Sequence, residues 1–127
     1  MIVASPRHPL ATQARASLAA LRSALWLLRE SGSGTREATD RALLPHLRSY
    51  RRSIEIGQLE AIKQAAAEGL GLACLSRWAT QDFVKARRLK TLSTSIPRTV
   101  RQFHWIVHRA KHMTPALLDF IESELAV

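Results

Sequence analysis

The stretch Ser53 to Ser76, SIEIGQLEAIKQAAAEGLGLACLS, limits the possible folds more than any other part of the chain. Ser53-Ile54-Glu55-Ile56 alternates polar and apolar, Leu59, Ile62, Ala66 and Leu70 recur at helical spacing, and Leu72-Ala73-Cys74-Leu75 is a continuous apolar run. The spacing predicts strand, helix, strand. Gly69 stands where a helix takes a left-handed C-terminal residue, and Gly71 eases entry into the second strand. A helix between two strands is the connection that a parallel pair requires, so the chain is expected to be α/β.

The 127 residues allow one ordinary domain or part of a larger one, and 46% apolar with 23% charged residues suits a packed core. Arg22 and Arg29 bracket the most apolar segment, Ser23 to Leu28, so no run reaches the length of a membrane span. Met1 to Pro6 lacks the charged start and long apolar core of a signal peptide, which makes the cytoplasm the expected compartment and leaves no membrane partner. Cys74, the single cysteine, lies in an apolar strand and reads as a small buried hydrophobe.

Elsewhere, Met1 to Ala4 reads as an apolar strand end with no partner before it, broken by Pro6 and Pro9. Ala14 to Leu21 reads as a short helix and Ala24 to Arg29 as a buried strand. Ser31 to Glu37 is a small-residue turn feeding a helix from Thr35 to Leu47, whose last turn Pro45 disturbs. Trp78 to Arg88 is expected to be helical or irregular, Leu89 to Leu92 a short strand and Gln102 to His108 another strand. Thr114-Pro115 is a cap followed by proline at the first helical position, opening an amphipathic terminal helix.

The turn Ser31-Gly32-Ser33-Gly34-Thr35 is the best ligand candidate, since it follows a strand, opens a helix and offers hydroxyls and backbone N–H groups to a carboxylate or phosphate. The same residues also make an ordinary helix cap, the reading that the residues alone favour. Gly57-Gln58 occupies the equivalent position after the next strand, so the two turns are expected to face one cleft. Nothing points to an enzyme: Ser31 to Gly34 is not a nucleophile elbow, no phosphate-loop lysine is present, and no carboxylate pair is placed for acid–base work. His104, His108 and His112 would share a helix face, but their apolar neighbours make a strand that spreads them, so no metal and no cofactor is expected. Trp26, Trp78 and Trp105 read as packing residues. The net charge of +9 leaves open a free-standing nucleic-acid-binding protein, although the arginines form only local groups, Arg51-Arg52 and Lys85 to Lys90.

Four segments in order, VASPRHPL at Val3 to Leu10, WLLRESGSGTR at Trp26 to Arg36, EAIKQAA at Glu60 to Ala66 with Gly69-Leu70-Gly71, and TPAL at Thr114 to Leu117, resemble the effector-binding domain of LysR-type transcriptional regulators. The resemblance covers nearly the whole chain. It implies a partial fold of the type 2 periplasmic-binding-protein kind, its second lobe nearly complete and built on a mixed, mostly parallel sheet flanked by helices. It implies that residues 1–11 are the end of a first lobe and a crossover, 12–96 the second lobe, and 97–127 the return crossover and C-terminal helix. The DNA-binding helix-turn-helix would be absent, so that DNA is a partner only of the intact protein. The implied function is sensing a small, anionic effector in a cleft between lobes, with a solute-binding fragment as an alternative of the same fold. Carried onto this chain, the effector-binding residues are Ser31, Gly32, Ser33, Gly34, Thr35, Gln58 and Gln64. The family more often has Ser then Asn where this chain has Gln58-Leu59. A homo-oligomer is expected, because part of a two-lobed protein leaves sheet edges and a terminal helix uncovered.

Overall fold

Continuous apolar runs in the three central strands bury both faces of the middle of a five-stranded sheet in the computed structural model, which describes residues 1–101, 106 and 108–125. The strands are β1 (Ile2–Ala4), β2 (Leu25–Leu28), β3 (Arg52–Glu55), β4 (Leu72–Cys74) and β5 (Lys90–Thr91), arranged in the order β3-β2-β4-β1-β5. The helices are α1 (Leu18–Ser23), α2 (Gly34–Leu47), α3 (Leu59–Ala67), α4 (Arg77–Lys85) and α5 (Pro115–Leu125). β2 pairs in parallel with β3 and β4, while β1 runs antiparallel to β4 and β5, so four strands point one way and β1 the other. The expected mixed, mostly parallel sheet is present.

Each strand sends successive side chains to opposite faces. Ile2, Ala4, Trp26, Leu28 and Leu72 pack with Leu21 of α1 and Leu43 and Leu47 of α2 on one side. Val3, Leu27, Ala73 and Leu75 pack with Ile62 and Ala66 of α3 and Phe83 of α4 on the other. Fully burying a side chain such as Leu21, Leu27, Leu43 or Ile62 contributes about 1.5–3 kcal/mol. Trp26 fills the centre of the first layer, its indole N–H donating to the Leu21 carbonyl at 2.8 Å and its ring 5.6 Å from that of Tyr50. Gly69, with φ 88, closes α3, and Gly71 lets β4 approach β2 so closely that a Cβ there would meet the Leu25 carbonyl oxygen at 2.5 Å.

Some expectations need correction. The helix expected over Ala14 to Leu21 begins only at Leu18, because the Ser17 hydroxyl accepts from the Ala20 N–H and fixes the start there. Ala16, before it, bridges to Thr94 instead. Met1 to Ala4, read as a strand end with no partner before it, pairs as β1 with β4 and β5, which both follow it in the chain. Leu70 is half exposed and outside α3, since the chain turns at Gly69. Trp78 is 67% exposed, whereas Trp26 is packed as expected. Trp105, His104 and most of the strand expected over Gln102 to His108 lie outside the described residues.

Candidate binding site

Because β2, β3 and β4 are parallel, the turns that follow them emerge at one edge of the sheet, here called the carboxyl edge. Leu28 pairs with Glu55, and the Ile56 N–H donates to the Leu28 carbonyl at 2.8 Å. The turns Ser31–Thr35 and Gly57–Gln58 therefore leave from adjacent strand ends, about 4.8 Å apart across the ladder. Ser33 and Gln58 share an edge.

Gly32 takes φ 85, which reverses the chain after Glu30, and the Ser33 N–H returns to the Glu30 carbonyl at 3.2 Å. Ser33 is the N-cap of α2, its hydroxyl accepting from the Thr35 N–H at 3.2 Å. Ser31, Gly32 and Gly34 are exposed, with Ser33 and Thr35 partly covered. A Cβ on Gly34 would stand 3.2 Å from the Arg101 guanidinium, which places that cation against the first turn of α2.

Arg36 holds this turn to the sheet. Its guanidinium donates to the Arg29 carbonyl at 3.0 Å and to Asp40 at 2.9 Å, and lies 3.6 Å from Glu55 at the end of β3. Asp40 also accepts from the Tyr50 hydroxyl at 2.9 Å, so burial and this carboxylate push the phenol far above its ordinary value. Glu30, bonded by Arg29 at 2.7 Å, is held below the usual carboxylate range.

Gln58 occupies the N-cap of α3 with extended backbone angles, yet its side chain makes no capping bond. Gln64 is not brought to this edge. Its amide meets Glu60 at 3.4 Å and accepts from Arg88 at 2.7 Å, on the way to the start of β5 at the opposite edge. A third turn, unnoticed in the sequence, joins the first two: Ser76 caps α4 through the Ala79 N–H at 3.1 Å, with Arg77 and Trp78 exposed beside it. Its signal was legible as a serine directly after the apolar run Leu72 to Leu75.

Three helices thus point their N-termini at one edge. First-turn N–H groups lack intrahelical acceptors, and each helix carries about half a positive charge at this end, so the edge suits an anion. Burial pushes the Cys74 thiol above its ordinary value, and no group of three His, Cys, Asp or Glu among the described residues could hold a metal ion.

The model of the family described as LysR substrate binding domain matches residues 1–125. An uncharacterized HTH-type transcriptional regulator, YeiE of Escherichia coli strain K12, is 42% identical over 122 residues, 96% of this chain and 41% of the relative. A RuBisCO operon transcriptional regulator of Allochromatium vinosum is 35% identical over 99% of this chain and 43% of its own. The chain spans about two fifths of the length of these curated relatives. Among solved structures, the regulatory domain of Synechocystis CcmR in complex with 2-PG matches with TM-score 0.74 and 27% identity, covering 98% of this chain and 60% of that one. The effector-binding domain of QuiR in complex with shikimate matches in fold, with TM-score 0.65, 16% identity and coverage of 98% and 58%.

Proposed function

The chain belongs to the LysR substrate-binding domain family, and from that premise we propose that it is the effector-sensing module of a LysR-type transcriptional regulator, taking a small anion at the carboxyl edge of its sheet. The observation that carries this reading is the convergence of Ser31–Thr35 and Gly57–Gln58 at adjacent ends of β2 and β3, with the N-termini of α2 and α3 behind them. A carboxylate or phosphate there accepts from first-turn N–H groups, with the Ser31 hydroxyl, the Gln58 amide and the Arg101 guanidinium within the same region. The likeness to a regulatory domain solved with 2-PG supports an anionic ligand.

In this reading the intact protein completes the cleft with a first lobe, and effector binding biases lobe closure in a DNA-bound oligomer. Residues 97–127 then return the chain to that lobe, consistent with the exposed Leu118 and Phe120 of α5. The chain works by binding, not by catalysis.

Calorimetric titration with 2-PG and a panel of small carboxylates tests the proposal. Saturable binding by at least one of them, weakened about tenfold or more by Ser31→Ala together with Gln58→Ala, is expected. Binding unaffected by that pair, or no binding by any member of the panel, refutes the site.

A further inference from the structure

The +9 charge is polarised across the fold. Around the carboxyl edge, Glu30, Glu37, Glu55 at the end of β3 and Glu60 are offset by Arg29, Arg36, Arg77 and Arg101. The opposite edge, where β1 ends and the other strands begin, is bounded by Arg7, Arg48, Arg51, Arg52, Arg87 and Arg88, with Glu68 as its nearby acid. All six arginines are exposed. Arg52 opens β3, and the Arg51 N–H donates to the Arg22 carbonyl just before β2. Arg7, Arg87 and Arg88 line one open hollow of about 380 Å³ together with Ser5 and Glu68.

Helix C-termini also collect at this edge, and arginines often serve them. That role is already filled by Arg22, whose Nε donates to the Leu47 carbonyl at 2.7 Å at the end of α2. Arg88 is likewise engaged, with Gln64, Glu68 and the Phe83 ring. The guanidinium groups of Arg7, Arg48, Arg51, Arg52 and Arg87 make no ion pair or hydrogen bond among the described residues. Both non-glycine residues with positive φ among those described are arginines of this pole, Arg48 at 65° and Arg87 at 56°. Each stands just past the end of a helix, α2 or α4, where a left-handed residue closes the last turn and leaves an arginine at this pole.

From this placement we infer that the pole opposite the candidate cleft docks on the phosphate backbone of DNA. β3 and β5 stand four strand spacings apart, about 19 Å, a length over which duplex DNA presents about eleven phosphates. Arg51 and Arg52 stand at the β3 end of this span, and Arg87 and Arg88 at the β5 end. The inference rests on the reading of the chain as part of a DNA-bound regulator, and places its sensing module in contact with the duplex it controls.

The test is fluorescence anisotropy of a labelled random-sequence duplex titrated with the 127-residue chain at several salt concentrations, with no effector present, so that its outcome is separable from that of the effector titration. Affinity is expected to fall with log salt at a slope of about 4.5, roughly 0.9 for each of five phosphates. Arg51→Glu with Arg52→Glu should lower the slope by about two, while the same charge change at Arg15 and Arg41, away from the pole, leaves it in place. Arg87→Gly, which suits the positive φ, should lower it by about one and keeps the test readable if a charge reversal unfolds the chain. Equal losses at Arg15 and Arg41, or polyglutamate competing as well as unlabelled duplex, would overturn the inference, the latter in favour of an acidic protein partner.

Discussion

Arg36 does more for the candidate site than any hydroxyl that lines it. It ties the first turn of α2 to the ends of both β2 and β3, through the Arg29 carbonyl, Asp40 and Glu55, from a side chain 23% exposed. Arg36→Ala is expected to destabilise the chain by about 1–3 kcal/mol in urea unfolding, and Arg36→Lys to restore little, because a single ammonium cannot span the same acceptors. An unchanged midpoint for Arg36→Ala would show that the turn holds itself. Gln58 presents the opposite case, a cap position whose side chain caps nothing. Gln58→Ser should supply the missing acceptor and stabilise by about 0.5–1 kcal/mol, read as a higher urea midpoint with an unchanged slope. A lower midpoint would mean that the Gln58 side chain already contributes in another way.

At the scale of elements, α3 and α4 are joined by a charge cluster against the second core layer. Lys63 is buried and donates to Asp82 at 3.0 Å, lies 3.1 Å from Glu60, and stands over the Phe83 ring at 4.5 Å, with Arg88 over the same ring at 4.3 Å. Burial would lower the ammonium's pKa, but the bonds to Asp82 and Glu60 outweigh it and hold the value above the ordinary 10.5. The hydrogen bond from Lys63 holds Asp82 below its ordinary 3.8. A carboxylate with a depressed folded value stabilises the protein above its unfolded value, and that stability is lost as pH falls through the folded one. Lys63 has the reverse sign, its contribution present below 10.5 and lost as pH rises through its folded value. Asp82→Asn should therefore be less stable than the native chain at pH 7, with the two unfolding curves converging as pH falls below 3.8. A gap that persists at that pH would assign the loss to packing instead. The boundaries of elements were legible where a local signal was strong, such as the glycines closing α3 or the apolar run of β4. They were misread near Ala14, where an alanine-rich string has helical propensity but Ser17 decides the start and Ala16 is taken by Thr94. Trp78 was misread for a related reason: its size suggests burial, yet α4 buries Thr80 and Phe83 and turns the indole outward.

For the molecule as a whole, the architecture followed from one strand–helix–strand stretch, because a helix after one strand and before another leaves few topologies open. The position of β1 could not be read in the same way. Its partners β4 and β5 follow far along the chain, and no local pattern specifies such pairing. The placement of the candidate residues was half legible. Ser31–Thr35 and Gln58 meet at one edge because parallel strands end together, but Gln64, six residues past Gln58 along α3, is carried toward the other edge with Arg88. The polarity of charge likewise emerges only once the strands have direction, since the arginines concerned are scattered from Arg7 to Arg88 in the sequence. The central claim is that the carboxyl edge is the ligand wall, and amide chemical-shift mapping of the chain titrated with 2-PG reads it most directly, in enough salt to screen the arginine pole. The account predicts saturable shifts concentrated at the amides of Gly32 to Arg36 and Gln58 to Glu60. Saturable shifts centred instead on Arg7, Arg51 and Arg87, with those turns unmoved, would contradict it.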